Sequence, residues 1–278
     1  MATNPMLNSN QKGFIENSIE RRISLITKFV FLILISLMTA ACVTESKTLI
    51  TKPAKDLKTK AQAHSELAAS YINIGKYEIA QNELEKAFNA DSNHSGSYFV
   101  AGVLAMKLGL PKDAEKNFRL AAKDKKNSMA AHELGVLLCR TGRERESIQY
   151  FNKAINNPLF PNRGMSNLRA GECISKLNVR KAEEYFNAAL DHNSGITVAL
   201  YRLAEVYYVE DELLRARAYL ERFKSASGNS PEVLYLGYQI EDKAKSIKAA
   251  DEYSDQLLRQ FPGSKEAKSL REQLKLRG

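Results

Sequence analysis

The sequence predicts an all-α stack of paired helices, and three observations carry that prediction. A hydrophobic pattern returns about every 34 residues from residue 61 onward, small residues recur at fixed places within each return, and helix-breaking residues are scarce, with 14 Gly and 7 Pro in 278 residues. A period of this length suits one helix–turn–helix unit and is too long for a coiled-coil heptad. At 44% hydrophobic and 26% charged, the composition is that of folded material, and three cysteines are too few for a disulfide scaffold.

The units read as 61–94, 95–127, 128–163, 164–196, 197–229 and 230–263, followed by a charged capping helix over 264–277. Thirty-four residues is the tetratricopeptide length, so the expected architecture is a tetratricopeptide superhelix of about six units. Each unit has an A and a B helix, with Gly75, Gly109 or Gly142 in the turn, where a helix exit takes a left-handed residue. Small residues (Ala68, Gly102, Gly135, Gly171, with Ala80, Ala114, Ala182, Ala216) belong where A and B cross closely. Leu84, Phe118, Phe151, Phe186 and Leu220 are expected to fill the gap to the next unit. One helix pair cannot bury both of its faces, so copies must stack and the last needs a cap. Pro158 and Pro161 lengthen the third link, and the fourth A–B turn is one residue short, with Asn178 in place of glycine.

The first 41 residues read as a signal peptide. Arg21, Arg22 and Lys28 precede an uncharged run from Phe29 to Ala41, thirteen residues long, which suits an export signal and is too short to span a bilayer. Thr39-Ala40-Ala41-Cys42 resembles a bacterial lipobox, which makes Cys42 the expected site of lipidation; a plain secretory signal is the alternative. Val43 follows, with no Asp to retain the product at the inner membrane, so the expected location is the periplasmic face of the outer membrane. Residues 42–60 read as the lipidated cysteine and a flexible tether, reaching about 25 Å. The formal net charge is +9. An exported chain meets little nucleic acid, so the basic excess suits anionic lipid or an acidic partner segment.

No phosphate-binding loop, nucleophile elbow or CxxC pair occurs. His132-Glu133 begins like a zinc-protease motif, but Val136 stands where the second histidine belongs. No catalytic residue, metal, cofactor or small-molecule substrate is expected. Function is expected on the concave wall of A helices, where such repeats hold peptide segments. The register puts Phe99, Val103, Met106 and Lys107 there from the second unit, and Met129, His132, Val136 and Arg140 from the third. Met165 and Leu168 come from the fourth, Tyr201 and Tyr208 from the fifth. Ordinary core packing is the alternative for these positions. Cys139 and Cys173 lie in the middle of adjacent A helices, and an oxidising compartment would allow a Cys139–Cys173 disulfide. Two buried free thiols are the alternative.

The order of these features resembles the PilF/PilW lipoproteins of type IV pilus biogenesis. The residues that carry the likeness are the lipobox at Cys42, Leu134-Gly135-Val136-Leu137-Leu138-Cys139 with Gly142-Arg143, Ala170-Gly171-Glu172-Cys173, Ala216-Arg217-Ala218-Tyr219-Leu220, and Phe261-Pro262. The chain departs from the family at His132-Glu133, where Asn-Asn-Tyr-Gly is common. The resemblance implies a pilotin role: binding the pilus secretin, promoting its localisation and multimerisation at the outer membrane, and stabilising the pilus. A tetratricopeptide lipoprotein that docks periplasmic peptidoglycan hydrolases or proteases is the reading from another class.

Overall fold

The computed structural model describes residues 55–276, and among them it contains helices and turns only. The chain divides after Ala61 into two units, of which the second, from Gln62 onward, is the repeat array. The signal peptide, Cys42 and the greater part of the tether lie outside the described residues.

The A helices are α1 (residues 55–73), α3 (Ser95–Lys107), α5 (Ser128–Arg140), α7 (Arg163–Ile174), α9 (Val198–Val209) and α11 (Pro231–Lys243). The B helices are α2 (Tyr77–Ala90), α4 (Pro111–Ala121), α6 (Glu144–Ile155), α8 (Val179–His192), α10 (Leu213–Ser227) and α12 (Ile247–Gln260); α13 (Lys265–Lys275) closes the array. The boundaries have local causes. Asn127, Asn178, Ser230 and Ser264 each accept a backbone N–H three residues on, and Pro111 and Pro231 occupy first-turn positions where a missing N–H costs nothing.

The start of α1 corrects the tether. Residues 55–60 are helical, closed by an Asp56–Lys60 pair at 3.1 Å and by Thr59 Oγ1 donating to the Lys55 carbonyl at 2.8 Å. These residues are exposed, so bonds local to the helix hold this stretch.

The A–B turns follow one pattern. Gly75, Gly109 and Gly142 have φ of 71–74°, and the residue after each donates back five positions, as Leu110 does to the Ala105 carbonyl at 2.8 Å. Asp211 and Lys245 hold the same left-handed geometry without glycine, at φ 63° and 58°. The fourth turn lacks a residue and the left-handed position with it. Asn178 is extended (φ −154°), its amide donates to the Ile174 carbonyl at 2.8 Å, and its side chain caps α8.

The small and large positions are partners within one repeat. A Cβ on Gly102 would come within 2.5 Å of the Phe118 ring, one on Gly135 within 2.9 Å of Phe151, and one on Gly171 within 2.5 Å of Phe186; Gly237 lies under Tyr253 in the same way. The rings fill the gap to the next unit as expected, and they also close the contact within their own repeat. Each ring first covers the glycine of its own A helix and then meets the following repeat; Phe118, for example, shares a cluster with Leu134, Leu137 and Leu138. Repeats with Ala instead of Gly, at Ala68 and Ala204, carry the smaller Leu84 and Leu220. Burying one such phenylalanine contributes roughly 1.5–3 kcal/mol.

The A-helix wall as candidate binding site

A helices of successive repeats touch through polar pairs as well as apolar ones. Ser65 and Ser97 share a hydrogen bond at 2.7 Å between α1 and α3, and His132 Nδ1 and Ser166 Oγ share one at 2.8 Å between α5 and α7; all four residues are buried. Cys139 of α5 and Cys173 of α7 are joined in a disulfide, with Cα atoms 5.8 Å apart. The expected pairing is present, and the free-thiol alternative falls.

Between those bonds the wall has two chemistries. In the second and third repeats Phe99, Val103, Met106, Met129 and Val136 are partly buried, each resting on a core cluster with one face left accessible. Lys107 and Arg140 edge them, exposed at the C-terminal ends of α3 and α5. In the fourth and fifth repeats, positions equivalent to Val103 and Val136 carry Glu172 and Glu205. There an ion-pair ladder runs from Arg169 to Glu172 (2.8 Å), Glu172 to Arg202 (3.2 Å) and Arg202 to Glu205 (2.8 Å). Beside it opens a cleft of about 650 Å³, lined by Ser175, Lys176, Val206 and Val209 among others. Tyr201 is partly buried next to the ladder; burial, with Glu205 adding to it, pushes its phenol pKa upward, so the ring presents a neutral hydroxyl.

Two of the twelve expected wall residues are corrected. His132 is 8% exposed, packed against Phe151 and Phe160, and its remaining bond goes to Ser166. Burial, with Arg169 adding to it, drives its pKa to about 4, so it is neutral at ordinary pH. Leu168 is 3% exposed and belongs to the core cluster around Phe151 and Phe186. The cause for His132 is the loop 156–163, which folds Phe160 back into the core. Met165 is exposed at the start of α7, while Tyr201 and Tyr208 are half-buried, Tyr208 under the Lys243 ammonium. The sequence carries a partial signal for the ladder, since Arg169/Glu172 and Arg202/Glu205 are each three apart on one helix, the spacing at which side chains meet. Among the described residues no group of three His, Cys, Asp or Glu is arranged to hold a metal.

Comparison with known proteins agrees with this architecture. One tetratricopeptide-repeat family model matches residues 99–163 and 176–231, and a second matches 61–94. The type IV pilus assembly protein PilF of Pseudomonas aeruginosa is 28% identical over 241 residues, covering 85% of this chain and 94% of that protein. The solved structure of Pseudomonas aeruginosa PilF superposes with a TM-score of 0.67 at 25% identity, over 78% of this chain and 99% of that one. The chain is a tetratricopeptide-repeat protein of the PilF/PilW type. A crystal structure of PilW, described as a widely conserved type IV pilus biogenesis factor, gives a TM-score of 0.64 at 27% identity, over 76% and 97% of the two chains.

Proposed function

We propose that this chain is a lipid-anchored scaffold of type IV pilus biogenesis, attached through Cys42 to the periplasmic face of the outer membrane and binding the pilus secretin. The observation that carries the reading is the match to PilF and PilW along nearly the whole array. The wall adds a physical route. Phe99, Val103, Met106 and Val136 form an apolar strip edged by Lys107 and Arg140, suited to one face of an amphipathic secretin segment. Acylated Cys42 would keep the strip at the membrane, so that captured subunits meet at raised local concentration and multimerise by mass action. The scaffold does no chemistry of its own; it holds a partner.

Two strains test this, one with Cys42→Ala and one with Phe99→Ala/Val103→Glu. Each should lose secretin multimers on unheated gels and lose surface pili, the first by mislocalisation and the second with the protein still at the membrane. Normal multimers and piliation in both strains would overturn the proposal. Co-purification with a peptidoglycan hydrolase and not a secretin would favour the adaptor reading.

A further inference from the structure

The two edges of the array differ in a way that the wall does not use. One edge is made of A–B turns, the other of the links from each B helix to the next A helix. The A–B turns belong to a single edge because side chains join them: Arg143 of the third reaches Glu115 just after the second at 2.9 Å, Lys243 of the sixth reaches Asp211 of the fifth at 2.8 Å, and the fourth and fifth share the cleft between Lys176 and Val209. From the last residue of each A helix to the third of its B helix, these turns hold thirteen Lys and Arg against seven Asp and Glu; the corresponding B–A links hold five against four. The same turns expose large aliphatic side chains. Ile74, Leu177, Val209, Leu214 and Ile247 are 57–76% exposed, and Leu108 and Leu110 46%. A folded chain gains nothing from Ile247 held in water between Lys245 and Lys248.

We propose that the A–B edge lies on an anionic lipid surface, with the aliphatic side chains entering the headgroup layer and the basic ones meeting phosphates. Exposed Leu and Ile interleaved with Lys and Arg are the chemistry of interfacial membrane binding. Each basic side chain near an anionic leaflet contributes attraction that salt weakens. The fifth turn departs from the pattern with Glu210, Asp211 and Glu212, and Lys243 reaches across to Asp211 there. The choice of lipid over an acidic protein rests on the proposed anchor at Cys42, since a chain held by acyl groups meets headgroups first. It does not depend on the secretin. Lying on this edge would leave the wall of Phe99, Val103 and Val136 open at the side.

The chain contains no tryptophan, so a single introduced one reports without background. Leu108→Trp and Leu177→Trp mark the A–B edge, and Leu159→Trp, 88% exposed in the native chain, marks the opposite one. Each acylated full-length variant is reconstituted into phosphatidylglycerol-containing or purely phosphatidylcholine vesicles. Expected are a blue-shifted emission and quenching by brominated lipid for the first two variants, in the anionic vesicles only and reduced at high salt, with Leu159→Trp unchanged. Adding Lys176→Glu/Arg180→Glu/Lys181→Glu to Leu177→Trp should abolish its shift. Vesicle-bound protein in which both edges respond alike, or neither does, overturns the inference and leaves the anchor reading standing; acylated protein that fails to stay on vesicles overturns both. A shift that grows with protein concentration without vesicles assigns the edge to a second copy, and one produced only by poly-glutamate assigns it to an acidic polypeptide; either overturns the lipid assignment.

Discussion

The walls of repeats two and three and of repeats four and five are built on one backbone plan and end in opposite chemistry. Val103 and Val136 in repeats two and three stand where Glu172 and Glu205 stand in repeats four and five, and there Arg169 and Arg202 complete a ladder of ion pairs. Beneath repeats two, three and four the same contact recurs, a glycine in A under a ring from B, and in repeat five Ala204 and Leu220 form its smaller version. The difference teaches that the stack is specified by the buried small–large pairs and leaves the wall free to vary. An apolar stretch of wall can be read as a place for a partner's apolar face. A paired one satisfies itself and contributes little to stability, because its members are partly exposed to solvent.

If the buried pairs are common to both regions, breaking one should cost the same in either. Gly102→Leu and Gly171→Leu each force a side chain into a phenylalanine ring and should lower stability by about 3 kcal/mol or more, seen as a large drop in thermal midpoint. A variant that melts like the parent breaks the comparison at that repeat. The disulfide joins the two regions across 34 residues of sequence. Cys139→Ser/Cys173→Ser should cost about 2–4 kcal/mol in denaturant unfolding, and reduction of the native protein should cost the same.

The acid response separates the regions by pH. His132 is neutral and buried, with its folded pKa near 4, well below the unfolded value. Between those two values the unfolded chain binds the extra proton. Stability from this site is therefore complete above about pH 6.5 and declines as pH falls toward 4, by roughly 2–3 kcal/mol. Glu115 and Glu146, held below the usual carboxylate range by Arg119 and Arg143 against the opposing effect of burial, lose stability in the same direction further into acid. His132→Gln should flatten the first part of a melting-temperature profile against pH and leave the second. The smallest effect is expected on the ladder. Arg202→Met should change stability by less than about 1 kcal/mol, while Val136→Asp should strongly reduce partner capture in a pull-down under conditions where circular dichroism shows the variant folded.

The repeat was legible in the sequence because its cause is local and recurs: a small residue, then a large one about sixteen positions on, then a turn. The paired cysteines were legible because the period alone brings them to adjacent helices. What stayed hidden depended on contacts that periodicity does not carry. His132 sits at a wall position in register, and only the return of Phe160 from a proline-bearing loop turns it into core. Asp211 and Lys245 hold a glycine's backbone geometry without its signature, so those turns look unremarkable as sequence. The Glu172–Arg202 bond spans thirty residues, visible only once two helices have been laid side by side.

The bridge at Cys139 and Cys173 also divides six repeats evenly, three on either side. Linear arrays open like a zipper from their loose ends, because each module leans only on its neighbours. A covalent tie at the midpoint stops either advancing front before it can pass into the other half. Unravelling of the first module or the last would therefore remain a local event, and a chain pulled by its partner at one end would keep its grip at the other.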